Sequence, residues 1–284
     1  MIKLIVDSTA DLPSDYFDNY QIGVVPLIVN INNKEYKDKK TIAVDELYQS
    51  LKKGDDVKTS QPNPFDVYEA IEKEAKNNHD IIFISISSKL SGTYQTVFMV
   101  VEELKEKYPD IKIKIIDSKG GSGIPGLMAI KAAQLIENNT PFPNIIQVLE
   151  EMTNHSEHIF TVKDLKYLFK SGRLKKSTAL IGNLLHFKPI LHIEHGEIKL
   201  LQKVRGQNKA FNKMVDLVEE RIKNYPDQTI AIMHANDLEV ALVIKQKLIE
   251  RLGHKDFIID QIGSAMGTHI GIGGVGVFFF NKKI

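Results

Sequence analysis

Three short apolar runs in the first half of the chain, residues 3–6, 81–86 and 111–116, each give way at once to small polar residues: Asp7-Ser8-Thr9, Ser87-Ser88 and Asp117-Ser118. Each run is too short for a buried helix. Each therefore reads as a strand buried on both faces. Between and after them, residues 45–51, 64–77, 91–107 and 127–138 carry helical spacing, and 23–32 reads as a further strand. Strands that alternate with helices build a parallel sheet covered on both sides. The carboxyl ends of such strands share one edge, and ligands bind there, where the strand order reverses. Chain order alone thus predicts three hydroxyl-bearing loops on one functional edge.

Pro141 and Pro143 break this pattern, and a helix over 144–152 closes the first unit. Beyond it the texture changes. A strand over 159–162 and a helix from Leu165 that ends near Gly172 precede a hairpin over 187–204 that turns at His195-Gly196. Helices over 209–223 and 239–252 alternate with strands over 229–233, 257–262 and 275–280. The fold expected is α/β in two domains. Residues 1–155 form a Rossmann-like parallel sheet with helices on both faces. Residues 156–284 form an α+β unit with a mainly antiparallel, mixed sheet that closes over the site.

Composition removes several classes of function. The 37 basic and 36 acidic residues leave a net charge of +1, so no global field favours nucleic acid. The lysine-containing runs Lys37 to Lys40 and Lys175-Lys176 read as solvated surface. There is no cysteine, which excludes disulfides, thiolate metal sites and a cysteine nucleophile. The N-terminus has no leader pattern, and no apolar run approaches the roughly 18 residues needed to span a bilayer. The expectation is a cytoplasmic, monomeric protein.

Gly271-Ile272-Gly273-Gly274-Val275-Gly276 fits G-x-G-x-x-G, yet it leads into a strand pattern, whereas a dinucleotide loop opens a helix. No P-loop and no nucleophile elbow is present. His155 with His158, and His192 with His195, have two-ligand spacing but no third ligand in pattern, so no metal is expected. Ser91-Gly92-Thr93 stands between a strand and a helix, where its hydroxyls can cap the helix, hold an anion, or both. Thr59-Ser60-Gln61-Pro62 also precedes a helix. His269, between Gly267 and Gly271, reads as lying off any helix face, either as a donor, acid or base at a site or as a structural histidine.

Taken in order, the stretches Asp7 to Pro13, Lys58 to Pro62, Ser91 to Tyr94, Ile116-Asp117-Ser118, Ser171-Gly172-Arg173, Lys188 to Leu191, Arg205-Gly206 and Gly267-Thr268-His269 resemble the DegV family. That resemblance implies a fatty-acid-binding protein without catalytic turnover or cofactor of its own. Its ligand would lie between two α/β domains, in a long apolar tunnel with one polar end. It implies that Thr59, Ser91 and His269 hold the fatty-acid carboxylate. A separate ATP-dependent fatty acid kinase would be the partner, making an acyl phosphate for phospholipid synthesis, with Arg205 near kinase docking or phosphoryl transfer and with transient membrane contact. Three departures bear on tunnel length, chain preference and kinase recognition. Ile272-Gly273-Gly274 stands where the family usually has a proline, the loop Lys119 to Pro125 stands where the family commonly has a less proline-bound run, and Ser171 stands where glycine is common. The residues by themselves also allow an acyl hydrolase or transferase with Ser91 as nucleophile and His269 as base, or a binder of a small hydroxy-ketone or sugar.

Overall fold

The computed structural model describes residues 1–175 and 187–284; Lys176, of the predicted Lys175-Lys176 surface run, lies outside the described residues. The strands of the first half are β1 (Ile2–Asp7), β2 (Gly23–Val25), β3 (Ile28–Ile31), β4 (Lys34–Lys37), β5 (Val57–Ser60), β6 (Asp80–Ser85) and β7 (Ile113–Asp117). Its helices are α1 (Ser14–Asn19), α2 (Val44–Lys53), α3 (Pro64–Lys76), α4 (Thr93–Lys107), α5 (Gly123–Glu137) and α6 (Phe142–Asn154). The second half contributes β8 (Ser156–Thr161), α7 (Lys166–Lys170), β9 (Phe187–Glu194), β10 (Glu197–Arg205), α8 (Gln207–Arg221), β11 (Ile230–His234), α9 (Leu238–Leu252), β12 (Phe257–Gln261), α10 (Ser264–Ile270) and β13 (Val275–Phe280).

The mixed α/β architecture expected from the sequence is the one observed. A four-stranded sheet in the order β2-β1-β6-β7 is parallel throughout. Its side chains alternate as a doubly covered sheet requires. Ile5, Ile81, Phe83 and Ile113 face α3 and α4, while Leu4, Val6, Ile82, Ile84 and Ile116 face the opposite layer, which holds α5 and α6. A six-stranded sheet in the order β10-β9-β8-β13-β11-β12 is antiparallel except between β11 and β12. One of its faces packs on α8 and α9 through Ile159, Ile190, Ile232, Val277 and Phe279.

Its other face, through Met233, Ala231 and Phe278, meets α5, the helix that also covers the parallel sheet. α5 has no solvent side over its first half: every residue from Gly123 to Ala129 is buried. A helix that is apolar all round belongs between two layers. Small residues let the layers close. A Cβ at Gly126 would stand 2.6 Å from the Asp11 carbonyl oxygen, and one at Gly123 would stand 2.7 Å from the Phe278 ring.

Three local expectations differ from the structure. α5 begins at Gly123, not Leu127, with Pro125 in its first turn, where a missing N–H costs no helical bond. The strand expected over 23–32 is two, β2 and β3, divided around Pro26 and placed in different sheets. β3 pairs instead with β4 and β5 in a three-stranded antiparallel sheet, so Val57–Ser60 is a strand and not only a helix approach. The β9–β10 hairpin turns where predicted, with positive φ at His195 and Gly196, as a two-residue hairpin loop demands. Its tip is tied to the loop after β6 by Ser87 Oγ, which donates to the Gly196 carbonyl at 2.8 Å.

Gly126→Ala should destabilise the fold by about 1–3 kcal/mol, because the new methyl group must displace the backbone of the Asp11 loop. Urea denaturation followed by circular dichroism measures this; an unchanged midpoint would mean that the Asp11 loop is not packed closely on α5.

Candidate functional site

Thr59 stands on β5 opposite Val29 of β3, and His269 stands in the last turn of α10. The expectation for His269 is corrected here: it lies on a helix. The helix was hidden in the sequence because Gly263, Gly267 and Gly271 punctuate it. Gly267 has no side chain because Tyr48 of α2 occupies that place, and Gly271 ends the helix with φ at 71°. The two elements bring Thr59 Oγ1 within 2.7 Å of His269 Nε2, with either atom able to donate. The other ring nitrogen, Nδ1, is buried with no hydrogen-bond partner among the described residues. Burial, reinforced by the nearby Arg173 guanidinium, pushes the His269 pKa down to about 3. The imidazole is therefore neutral at physiological pH.

Ser91 lies in the turn before α4. Its Oγ is 2.8 Å from Thr93 Oγ1 and accepts from the Thr93 N–H at 3.3 Å, so its partners belong to the helix start, as the capping reading expects. Thr59, Ser91 and His269 nevertheless share the wall of one cavity of about 30 Å³. Its remaining wall is mostly apolar, including Leu27, Ile86, Leu90, Leu168 and Ile198. Thr59 and His269 also border a second space of about 760 Å³, lined by Lys52, Asp55, Lys58, Lys166, Lys170 and Tyr167, with Lys58 and Lys170 paired to Asp56 and Lys166 to Asp164. The Thr59–His269 pair thus marks the border between an apolar interior and a basic mouth.

This inner apolar space is small, about 30 Å³. That differs from the long tunnel expected from the sequence. Leu27, Leu90, Leu168 and Met266 stand on the wall of the inner space.

Arg173 borders both spaces and is the one charged residue on the described wall of the inner cavity. Its Nε donates to the Leu90 carbonyl at 3.1 Å and its Nη1 to the Ser171 carbonyl at 2.7 Å; burial lowers its pKa. The residue-by-residue reading gave Arg173 no role, although the tripeptide Ser171-Gly172-Arg173 was a visible signal. Arg205 stands exposed at the end of β10, opposite Phe187, and is not among the residues lining either space.

The strand-end loops were expected to face a ligand. In part they satisfy one another instead. Asp7, at the reversal of strand order between β1 and β6, is fully buried; it accepts from Thr9 N–H and from Ile86 N–H at 2.7 Å, closing the crevice with protein groups. Asp117 accepts from Ser88 and Lys119 in the same way. Thr9, Ile86 and Ser91 remain at the cavity. Among the described residues no cluster could hold a metal ion, and no helix is long and apolar enough to cross a membrane.

The family model described as an uncharacterised protein of the DegV family matches residues 1–282. The chain belongs to the DegV family. A DegV domain-containing protein of Clostridium perfringens is 37% identical over 279 residues, which covers 97% of this chain and 96% of the relative. Among solved structures, DegV of Bacillus subtilis, described as a fatty acid binding protein, is 32% identical with a TM-score of 0.86 and covers 98% of this chain and 99% of its own. A stearic acid-binding protein from Eubacterium ventriosum is 25% identical with a TM-score of 0.90 and covers 98% of this DegV-family chain and 97% of its own.

Depressed histidine pKa values make stability fall as the solution is acidified. His269 and the fully buried His158 of β8 are both pushed from 6.5 to about 3, mainly by burial. The unfolded chain then takes up protons below pH 6.5 that the folded chain refuses until about pH 3, and stability is lost across that window. Asp11 acts in the opposite sense, since burial lifts it to about 6. Its contribution is complete below 3.8 and is lost as pH rises through 6. His269→Gln should therefore lose less stability between pH 7 and pH 5 than the wild type, read by urea unfolding at both values; equal losses would place a charged or exposed ring at 269.

Proposed function

We propose that this protein binds a long-chain fatty acid, with the carboxylate at Thr59, Ser91 and His269 and the acyl chain in the apolar space behind them. The observation that carries this reading is the neutral Thr59–His269 pair on the border between the apolar wall and the basic mouth. The fatty-acid binding of its structural relatives supports it. A fatty acid divides chemically at that same border. Its tail gains about 0.8 kcal/mol per buried CH₂, and its head group needs donors. Hydroxyls and an imidazole supply them without a full ion pair. The Arg173 guanidinium adds a favourable charge from a position where two of its N–H groups already serve backbone carbonyls. Admission of the chain requires the side chains that line the small inner space, Leu90, Leu168 and Met266 among them, to move apart. Residues 1–155 and 156–284 act in this reading as two domains that close on the ligand.

The carboxylate left nucleophilic by neutral donors is then presented through the basic mouth to a separate ATP-dependent kinase, which forms the acyl phosphate for phospholipid synthesis in the cytoplasm. Arg205, exposed and away from the cavity, belongs in this reading to kinase contact. The hydrolase reading has less support, since Ser91 Oγ bonds Thr93 and His269 Nδ1 has no orienting partner among the described residues.

Organic extraction of freshly purified protein, followed by mass spectrometry, should release one fatty acid per chain. Neither retained lipid nor uptake of added oleate would sink the reading. Thr59→Ala and His269→Ala should each weaken oleate binding about tenfold, the loss of one strong hydrogen bond. Arg205→Ala should bind oleate like the wild type yet be a poor substrate for the kinase; loss of oleate binding in Arg205→Ala would overturn its assignment.

A further inference from the structure

The helix that carries His269 is held from the other half of the chain. At its start, Asp11 Oδ1 accepts from the Gly263 N–H at 3.0 Å and Asp38 Oδ2 from the Ala265 N–H at 3.2 Å. Asp11 Oδ2 accepts from Ser122 Oγ, at the start of α5, at 2.7 Å. Lys39 Nζ stands 3.7 Å from Asp11 Oδ1 and donates to the Ala10 carbonyl at 2.5 Å. Tyr48 Oη donates to the Ile262 carbonyl at 2.8 Å. Asp38 and Lys39 belong to a run that reads as solvated surface; the structure corrects this for Asp38, which is buried, while Lys39 and Lys40 are exposed.

Helix capping alone does not call for this arrangement. A serine or asparagine satisfies a helix start without burying a charge. Here two carboxylates are buried side by side, and Asp38 Oδ1 has no partner among the described residues. Burial lifts both carboxyls, with Lys39 pulling against the rise. Such a costly contact calls for a use beyond stability. Contact is also close: a Cβ at Gly263 would stand 2.8 Å from Asp11 Oδ1, and one at Gly267 would stand 2.7 Å from Tyr48 Oη. α10 has only seven residues, so a shift at its first turn is felt at His269 in its last.

We propose that Asp11, Asp38 and Tyr48 are positioning residues that fix α10 so that His269 Nε2 stands opposite Thr59 and the pair can take a carboxylate. This rests on the head-group reading of that pair. The hydrogen bonds set the axial place of the helix, and the two glycine contacts set its distance from α2 and from the Asp11 loop.

The test compares Asp38→Ala, Asp38→Asn and Tyr48→Phe with the wild type in oleate affinity, in the ring ¹⁵N shifts of His269, assigned with His269→Gln, and in thermal midpoint. Asp38→Ala and Tyr48→Phe should each weaken oleate about tenfold and move the His269 ring shifts. Asp38→Asn keeps an acceptor for the Ala265 N–H and should restore both. A lower midpoint in Asp38→Ala and Tyr48→Phe with unchanged affinity and unchanged His269 shifts would overturn the proposal and leave a structural cap. Should Asp38→Ala fail to fold, Tyr48→Phe decides by the same readouts. Should the wild type bind no oleate, the head-group reading fails by itself, while the ring shifts still decide whether these residues place His269.

Discussion

The structure depends on a helix with no outer face. The first half of α5 is covered by the parallel sheet on one side and by the six-stranded sheet on the other, so the layers run helix, sheet, helix, sheet, helix. Everything at the site follows from how closely those layers meet. The residues that make α5 thin, Gly123, Gly126 and Ala129, bring the loop of Asp11 against the start of the helix. From there Asp11 reaches Gly263, and the helix that carries His269 is brought to Thr59. Packing density in the middle of the molecule is thereby converted into the position of one imidazole nitrogen at its edge.

The site itself is a border between dielectric environments. Inside it the wall is mostly hydrocarbon, and outside it stand four lysines. A neutral hydrogen-bonded pair suits that border. Protonating the ring would place a charge where burial and Arg173 both oppose it, which is why His269 remains an uncharged imidazole. The nearest cation is tied by Nε and Nη1 to main-chain carbonyls and is kept from collapsing onto the pair.

Much of the fold was legible in sequence because its central strands are short apolar runs with polar ends, a signal that survives without any tertiary information. The hairpin was legible from His195-Gly196, whose conformation only a tight turn needs. What was not legible was decided by partners far away in the chain. β3 was read as part of one longer strand, while β5, which pairs with it, shows no alternation strong enough to announce a strand by itself. α10 is broken by glycines that look like loop residues until the Tyr48 hydroxyl and the Asp11 carboxylate are seen in the places their side chains would take. Asp38 lies among lysines and reads as surface, yet it is buried, because a helix start two hundred residues away supplies its donor. Of the predicted site residues, Thr59, Ser91 and His269 meet at one cavity and Arg205 does not, while Arg173, which does, was visible only as part of a motif.

The tie between Ser87 Oγ and the Gly196 carbonyl has a consequence for what kind of surface the cavity presents. Along β10 the residues before the bulge at Leu201 that face the cavity side are the even-numbered Ile198 and Leu200, and beyond the bulge Val204 faces the opposite core. The wall is therefore a question of parity. A slip of the hairpin by one residue would turn Ile198 outward and swing Lys199 toward the space where an acyl chain would lie. The two-residue turn and the β9–β10 ladder fix that count, and the Ser87 hydroxyl anchors the turn against the loop after β6, which keeps that wall oily.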